Sequence, residues 1–374
     1  MKKIVFIFLI LLLIAPRGWS QVDTEHRRVL MAQTSFGVVH SDETPSAFGY
    51  FWFNENNYPW TNTALRVIFS GIFVDGELSW FLPGQPNTAI GIGASGGLYV
   101  DSMMPYQDGS LVKTNSFYGD RADVRLFINQ TFPNSAAIPV NLRATYRVSG
   151  AFYRKTSDTK NFDIPNNFMT QSLGTELRIG GIVPGLTATR GVELFLAADA
   201  NYRTGDNGFG PVGAHFPNQT EYDRLTGALA GKLPVGPTTV FGRLAGGWGE
   251  NLDQLSAWKL GGNIVGTTAF AYPLHGYYTR ELFAADFGLG NLEWIVPIGG
   301  RSGLTGHFYG DWAIVKSPPP AAEDWHNYLG VGAGLGLRGP WQTNWLLSYG
   351  YGLNAVRNGD HGGHEIGLAL EKDF

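Results

Sequence analysis

A chain of 374 residues with no cysteine can hold neither a disulfide, nor a thiolate metal site, nor a lipid attached through cysteine. Charged residues make up only 16%, against roughly 25% in soluble domains, while glycine (51) is as abundant as Phe (24), Tyr (16) and Trp (11) together. Without Lys2, Lys3 and Arg17 of the leader, 24 of the 27 basic residues remain to face 31 acidic ones, and a net charge of −7 excludes nucleic acid as a partner.

Residues 1–20 have the three-part form of a secretory signal. Met1-Lys2-Lys3 is the basic start, Ile4 to Ala15 the apolar run, and Gly18-Trp19-Ser20 the small-residue end before Gln21. The apolar run is too short to remain in a membrane, and after it no stretch approaches the ~20 apolar residues of a membrane helix. Residues 21–30, with Asp23, Glu25, His26, Arg27 and Arg28, form a short polar lead facing the periplasm, too small to fold alone.

From residue 31 onward the chain alternates. Ala122, Val124, Leu126 and Ile128 oppose Arg121, Asp123, Arg125 and Asn129; Val140, Leu142, Ala144, Tyr146 and Val148 oppose Asn141, Arg143, Thr145, Arg147 and Ser149. Val192, Leu194, Leu196, Ala198, Ala200 and Tyr202 likewise oppose Glu193, Phe195, Asp199, Asn201 and Arg203. A period of two is that of a strand, with one apolar and one polar face. The runs are about twice as long as the five or six residues of a soluble strand, and suit a tilted crossing of the bilayer, which takes about 9–11.

The alternation predicts strands at 31–41, 46–56, 62–73, 75–84, 88–100, 118–131, 139–154, 168–183, 190–204, 222–234, 238–250, 285–298, 303–315, 327–339, 342–355 and 363–374. Connections after even-numbered strands are short, as at Val235-Gly236-Pro237 and Pro340-Trp341; several after odd-numbered strands are long. Short inner turns and long outer loops mark barrels of the bacterial outer membrane. Backbone groups in lipid must be paired within the protein, so the strands must close. The expectation is an all-β, 16-stranded antiparallel transmembrane β-barrel over residues 31–374, bathed in outer-membrane lipids.

Inward charges of both signs, among them Arg66, Arg125, Arg143, Asp123, Glu193 and Asp199, either line a watery channel or pair across neighbouring strands. Ile366, Leu368, Leu370 and Phe374 put an apolar face and a terminal aromatic on the last strand, the form of signal read by the outer-membrane assembly machinery; Lys372 interrupts it. Asp360-His361-Gly362-Gly363-His364-Glu365 carries metal-capable side chains in what reads as the last outer loop, and a solvated loop accounts for it. No catalytic constellation is seen, so no enzyme, no metal and no cofactor are expected.

The C-terminal third resembles the BamA/TamA-type outer-membrane assembly barrels, the bacterial surface antigen family. Gly261-Gly262 precedes Leu274-His275-Gly276-Tyr277, in the manner of that family's sixth outer loop and its Val-Arg-Gly-Phe tip. Asn291-Leu292-Glu293-Trp294-Ile295-Val296-Pro297 and Phe308-Tyr309-Gly310-Asp311-Trp312-Ala313 look like its strands with an inward acid, and Ala333-Gly334-Leu335-Gly336-Leu337 and Leu347-Ser348-Tyr349 like its penultimate ones. Asn54-Glu55-Asn56-Asn57-Tyr58 and Gly76-Glu77-Leu78-Ser79-Trp80-Phe81-Leu82-Pro83 echo its opening strands.

The resemblance implies a long sixth extracellular loop folded into the lumen. It also implies a role in insertion or passage of proteins or lipids, with a weak seam between first and last strands as the working part. His275 stands where the family has arginine, so Leu274, His275, Gly276 and Tyr277 would be locked by Glu293 and Asp311; the other reading is three unrelated polar lumen residues. Gly330, Gly332, Gly334 and Gly336 would leave room for the loop, since glycine admits close approach. The family's periplasmic arms have no counterpart here, so a separate periplasmic protein would replace them. The alternative function is a passive solute pore or a structural barrel of the same fold.

Overall fold

The computed structural model describes residues 26–39, 41, 45–132, 139–180, 191–205, 208–216, 219–263, 272–299, 303–320 and 324–374. The expected signal, residues 1–20, and most of the polar lead lie outside them. Among them, sixteen antiparallel strands close into one barrel. In chain order these are β1 (Arg27–Gly37), β2 (Ser46–Asn56), β3 (Thr63–Ser70), β4 (Phe73–Leu82), β5 (Gln85–Gly97), β6 (Phe117–Phe132), β7 (Val140–Lys155) and β8 (Phe168–Gly180). They continue with β9 (Gly191–Arg203), β10 (Glu221–Val235), β11 (Thr238–Glu250), β12 (Asp286–Ile298), β13 (Leu304–Lys316), β14 (Trp325–Arg338), β15 (Thr343–Arg357) and β16 (Asp360–Asp373). Every strand read from the alternation is present. The first begins earlier, so Arg27 to Leu30 belong to the wall rather than to the lead.

Each strand turns its apolar parity outward. Val124, Leu126, Leu173 and Leu244 are each about 60% exposed, while Arg125 and Asn129 on the opposite face of β6 are buried. A belt of exposed large apolar side chains around a closed sheet belongs in hydrocarbon, where strands can cross only if no edge is left.

Two outer connections are tight hairpins, the second of them where residues 356–362 were expected as a loop. β3 and β4 are joined across Gly71-Ile72, and β15 and β16 across Asn358-Gly359, whose φ values of 51° and 89° suit the primed turn of a tight hairpin. Asp360 to Glu365 therefore lie in β16 and not in a solvated loop. His364 Nδ1 meets Tyr349 Oη at 2.6 Å, and among the described residues no three acidic or histidine side chains gather to hold a metal.

The first-to-last junction is closed by hydrogen-bonded pairing. β1 and β16 pair over nine residues, from Val29↔Asp373 to Gly37↔Glu365, whereas β2 and β3 pair over six. Most neighbouring strands pair over ten or more residues, so the β16–β1 junction, expected as a weak seam, is among the shorter pairings, with only β2–β3 and β3–β4 shorter. The outward face of β16 carries Ile366, Leu368, Leu370 and Phe374, whose ring meets Phe51 edge-on at 6.2 Å.

The outer loops pack on one another. Phe117, Phe162 and Phe209 are fully buried with Met103, and Phe216 and Phe283 join them, so the outer connections that carry Met103, Phe162, Phe209 and Phe283 share one aromatic core. Lys259 lies in this layer, its Nζ 5.5 Å from the Phe283 ring. Burial, and secondarily Arg280 nearby, pushes its ammonium down to about 8. A lysine that gives up its proton earlier when folded than when unfolded opposes folding while charged. The loop layer should therefore gain stability as pH rises from about 8 to 10.5, and Lys259→Met should abolish the gain. Protease cleavage of the outer loops at pH 7.5 and 10 reads this out.

Candidate functional site

The loop 251–285 turns back on itself at a glycine pair. Gly261 and Gly262 have φ of 118° and 94°, and Gly262 donates to the Tyr277 carbonyl while its own carbonyl accepts from Leu274. A side chain at Gly261 would stand 2.3 Å from the Tyr278 carbonyl oxygen, which explains why the pair precedes the tip. Leu274 and Tyr277 are fully buried among inward side chains such as Phe287, Leu289, Ala313 and Val315.

The tip histidine meets one of its two expected acids. Asp311 Oδ2 lies 2.6 Å from His275 Nδ1 and accepts the His275 backbone N–H at 2.7 Å. Asn291 completes the group by donating to Asp311 Oδ1 at 2.8 Å and to the Pro273 carbonyl at 3.0 Å. The His275 ring stacks on Tyr309 at 4.2 Å. Glu293 is not part of this contact. It binds His307 Nδ1 at 2.7 Å, on the far side of Tyr309. The lock of three residues is thus corrected: His275 and Asp311 meet, Glu293 serves its own wall. Asn291 stands two residues before Glu293 and shares its inward parity, so its place was legible in the sequence.

Glycine makes the floor. Gly330 faces the His275 carbonyl, 2.5 Å from where a Cβ would sit, and Gly332 underlies the same ring. Gly334 and Gly336 instead make room for the side chains of Tyr309 and His307 on the neighbouring β13. The floor continues where sequence reasoning had not looked. A Cβ on Gly350 would lie 2.6 Å from Gly276 N, one on Gly352 2.9 Å from Gly276 O, and one on Gly363 2.2 Å from Gly276 O. Alternate glycines at inward parity in β15 and β16 were the signal. Because backbone stands on both sides of these contacts, neither can yield easily. Gly363→Ala should expel the tip at a cost of about 1–3 kcal/mol, seen as faster proteolysis within 251–285.

A second anchor reverses the polarity that the resemblance implied. The forked cation comes from the wall and the carboxylate from the loop: Arg357 of β15 donates to Glu281 Oε1 and Oε2 at 2.7 and 2.8 Å. The same guanidinium reaches the Gly276 carbonyl at 3.2 Å and lies 3.7 Å over the Tyr278 ring. Arg357 is 1% exposed. A planar fork suits this bidentate, stacked position in a way a lysine would not.

Away from the tip, the wall charges pair off. Glu77 accepts from Arg125 at 2.8 Å and Arg143 at 2.7 Å and faces Arg66 at 3.0 Å, while Asp75 and Asp123 hold Arg125 from either side. Arg178 pairs with Glu193, Arg224 with Asp199 and Arg203 with Asp253. Of the two readings of the inward charges, cross-strand pairing accounts for all of these but Arg203, whose partner Asp253 lies in the loop 251–285.

No protein-family model matches the chain, and no curated protein matches it. Solved structures do. CdiB from Escherichia coli superposes on 93% of the chain with a TM-score of 0.59 at 12% identity, and BamA from Haemophilus ducreyi lacking POTRA domains 1-3 on 94% with 0.58 at 10%. CdiB from Acinetobacter baumannii superposes on 93% with 0.57 at 13%. The chain spans 63%, 71% and 60% of those three proteins respectively. At such identities the likeness is one of fold, and the strand count, the closure and the extent of the superposition agree on it. This chain is a sixteen-stranded membrane barrel with the fold of the BamA and CdiB barrels.

Proposed function

We propose that the protein is an insertion or translocation barrel of a bacterial outer membrane, acting on proteins or lipids rather than catalysing a reaction. The observation that carries this reading is the seat built for the tip of loop 251–285. Glycines of three strands, a buried His275–Asp311 contact and a buried Arg357–Glu281 pair hold a segment that belongs to no strand. A purely structural wall has no need of a dedicated seat. A segment seated by local polar contacts can leave and return without unfolding the wall. Outer-membrane lipids are its surroundings and the assembly machinery its partner during biogenesis, read through Ile366, Leu368, Leu370 and Phe374. A separate periplasmic protein would deliver clients. No cofactor enters this reading.

The unbroken nine-residue pairing of β1 with β16 favours a second reading, a pore or structural barrel of the same fold. Photo-crosslinkers placed at lumen positions Gln33 and Trp52 in native membranes separate the two. Polypeptide or lipid adducts are the expected outcome. Absence of adducts, together with an ion conductance that deletion of residues 265–280 leaves unchanged, would sink the proposal.

A further inference from the structure

We infer that loop 251–285 is also a strap across the β16–β1 closure, fastening the outer half of that junction from inside the barrel. The inference rests on wall contacts alone and is independent of what the barrel handles. On the β16 side, Asn263 donates through Nδ2 to the Glu365 carbonyl at 3.4 Å, and Gly276 lies on Gly363. On the β1 side, Thr279 Oγ1 lies 3.2 Å from Ser35 Oγ and 3.2 Å from Ser46 Oγ of the adjoining β2. The Tyr278 ring covers Gly37, where a Cβ would stand 2.8 Å from it. Ser35 pairs with Gly367 and Gly37 with Glu365, so the fastened residues of the two strands are direct neighbours across the junction.

Between the two sets of contacts lies a small pocket of about 30 Å³, where the polar Gln33, Ser35, Asn263 and Ser348 meet the apolar Phe48 and Leu368. Both amide atoms of Gln33 and the Asn263 oxygen are buried there without a partner among the described residues. Its size suits one or two water molecules held by those amides. The periplasmic half of the junction has a different support: Met31, Tyr50, Leu346 and Ala369 form an apolar cluster, with Trp52 and Ile68 packed against it. The strap thus grips the outer half of the junction, while the inner half rests on that apolar cluster. Separating β1 from β16 on the outer side requires the tip to leave its seat, because the same loop grips both strands.

Amide hydrogen exchange on the full-length barrel in nanodiscs tests this. In the double variant Asn263→Ala/Thr279→Val, amides of Gln33–Gly37 and Glu365–Ala369 should exchange at least tenfold faster. Those of Val29–Met31 and of the β8–β9 pair should keep their wild-type rates. The lack of native cysteine permits a second measurement that does not depend on that variant folding. A Ser35→Cys/Thr279→Cys cross-link should slow exchange at Gln33–Gly37 by the same order, and reduction should restore it. Wild-type rates at Gln33–Gly37 in the oxidised cross-linked protein would overturn the strap. So would acceleration spread evenly over the barrel in the double variant.

Discussion

Arg357→Ala should lower the stability of the seated loop by about 3–5 kcal/mol, the usual cost of removing one partner from a buried ion pair. The side chain is 1% exposed, and its loss removes a contact from three groups at once: the Glu281 carboxylate, left with the Tyr278 N–H, the Gly276 carbonyl and the face of Tyr278. The penalty is one of desolvation and not of lost attraction, since Glu281 would keep its charge in a place water does not reach freely. The double replacement Arg357→Met/Glu281→Met should therefore recover most of the loss, because two apolar side chains of similar volume leave no charge behind. The temperature at which loop 251–285 becomes cleavable by protease is the measurement. If the double variant is as unstable as Arg357→Ala, the pair is not what holds the tip.

Glu77→Ala should destabilise the barrel itself by a comparable amount, about 3–5 kcal/mol. Glu77 is 4% exposed and is the common acceptor of three guanidinium groups from β3, β6 and β7. Asp75 and Asp123 would still hold Arg125, but Arg143 would keep only the Thr145 hydroxyl and the Phe127 ring, 3.9 Å beneath it. The effect should appear in urea unfolding of the detergent-solubilised barrel. Glu77→Gln should lose less, because the amide oxygen still accepts from Arg125 or Arg143. A Glu77→Ala barrel with wild-type unfolding would mean that these arginines are hydrated from the lumen and do not depend on the carboxylate.

The two anchors of the loop differ in how far the sequence revealed them. His275 and Asp311 were legible because each sits in a motif whose order resembles a known barrel family, and parity put Asp311 inward. Glu293 shares that parity, yet parity states only which face a side chain takes. Which inward acid a loop residue meets depends on where the loop descends, and here it descends beside Asn291 and Asp311, leaving Glu293 to His307. Arg357 was missed because the residues around it read as a loop. Their glycines and polar side chains hide a strand that continues to a two-residue turn at Asn358-Gly359.

Glycine at inward parity told of close approach without telling by what. Gly330 and Gly332 receive the loop, whereas Gly334 and Gly336 accommodate rings from the adjacent strand. The same residue type in the same strand thus answers to two different neighbours.

Period-two alternation over runs longer than soluble strands determined, by itself, that this chain is a strand-built membrane protein. Backbone pairing in lipid then left closure as the only solution, and the count of runs determined its sixteen strands. That information is local, because a strand's two faces are decided by residues two apart. Only the tertiary structure decided the partners of each inward charge, the seat of the tip and the loop's grip on both sides of the β16–β1 junction. Those contacts join residues far apart in the chain, such as Ser35 with Thr279 and Glu77 with Arg143, and depend on strand register and loop path, neither of which a periodicity encodes.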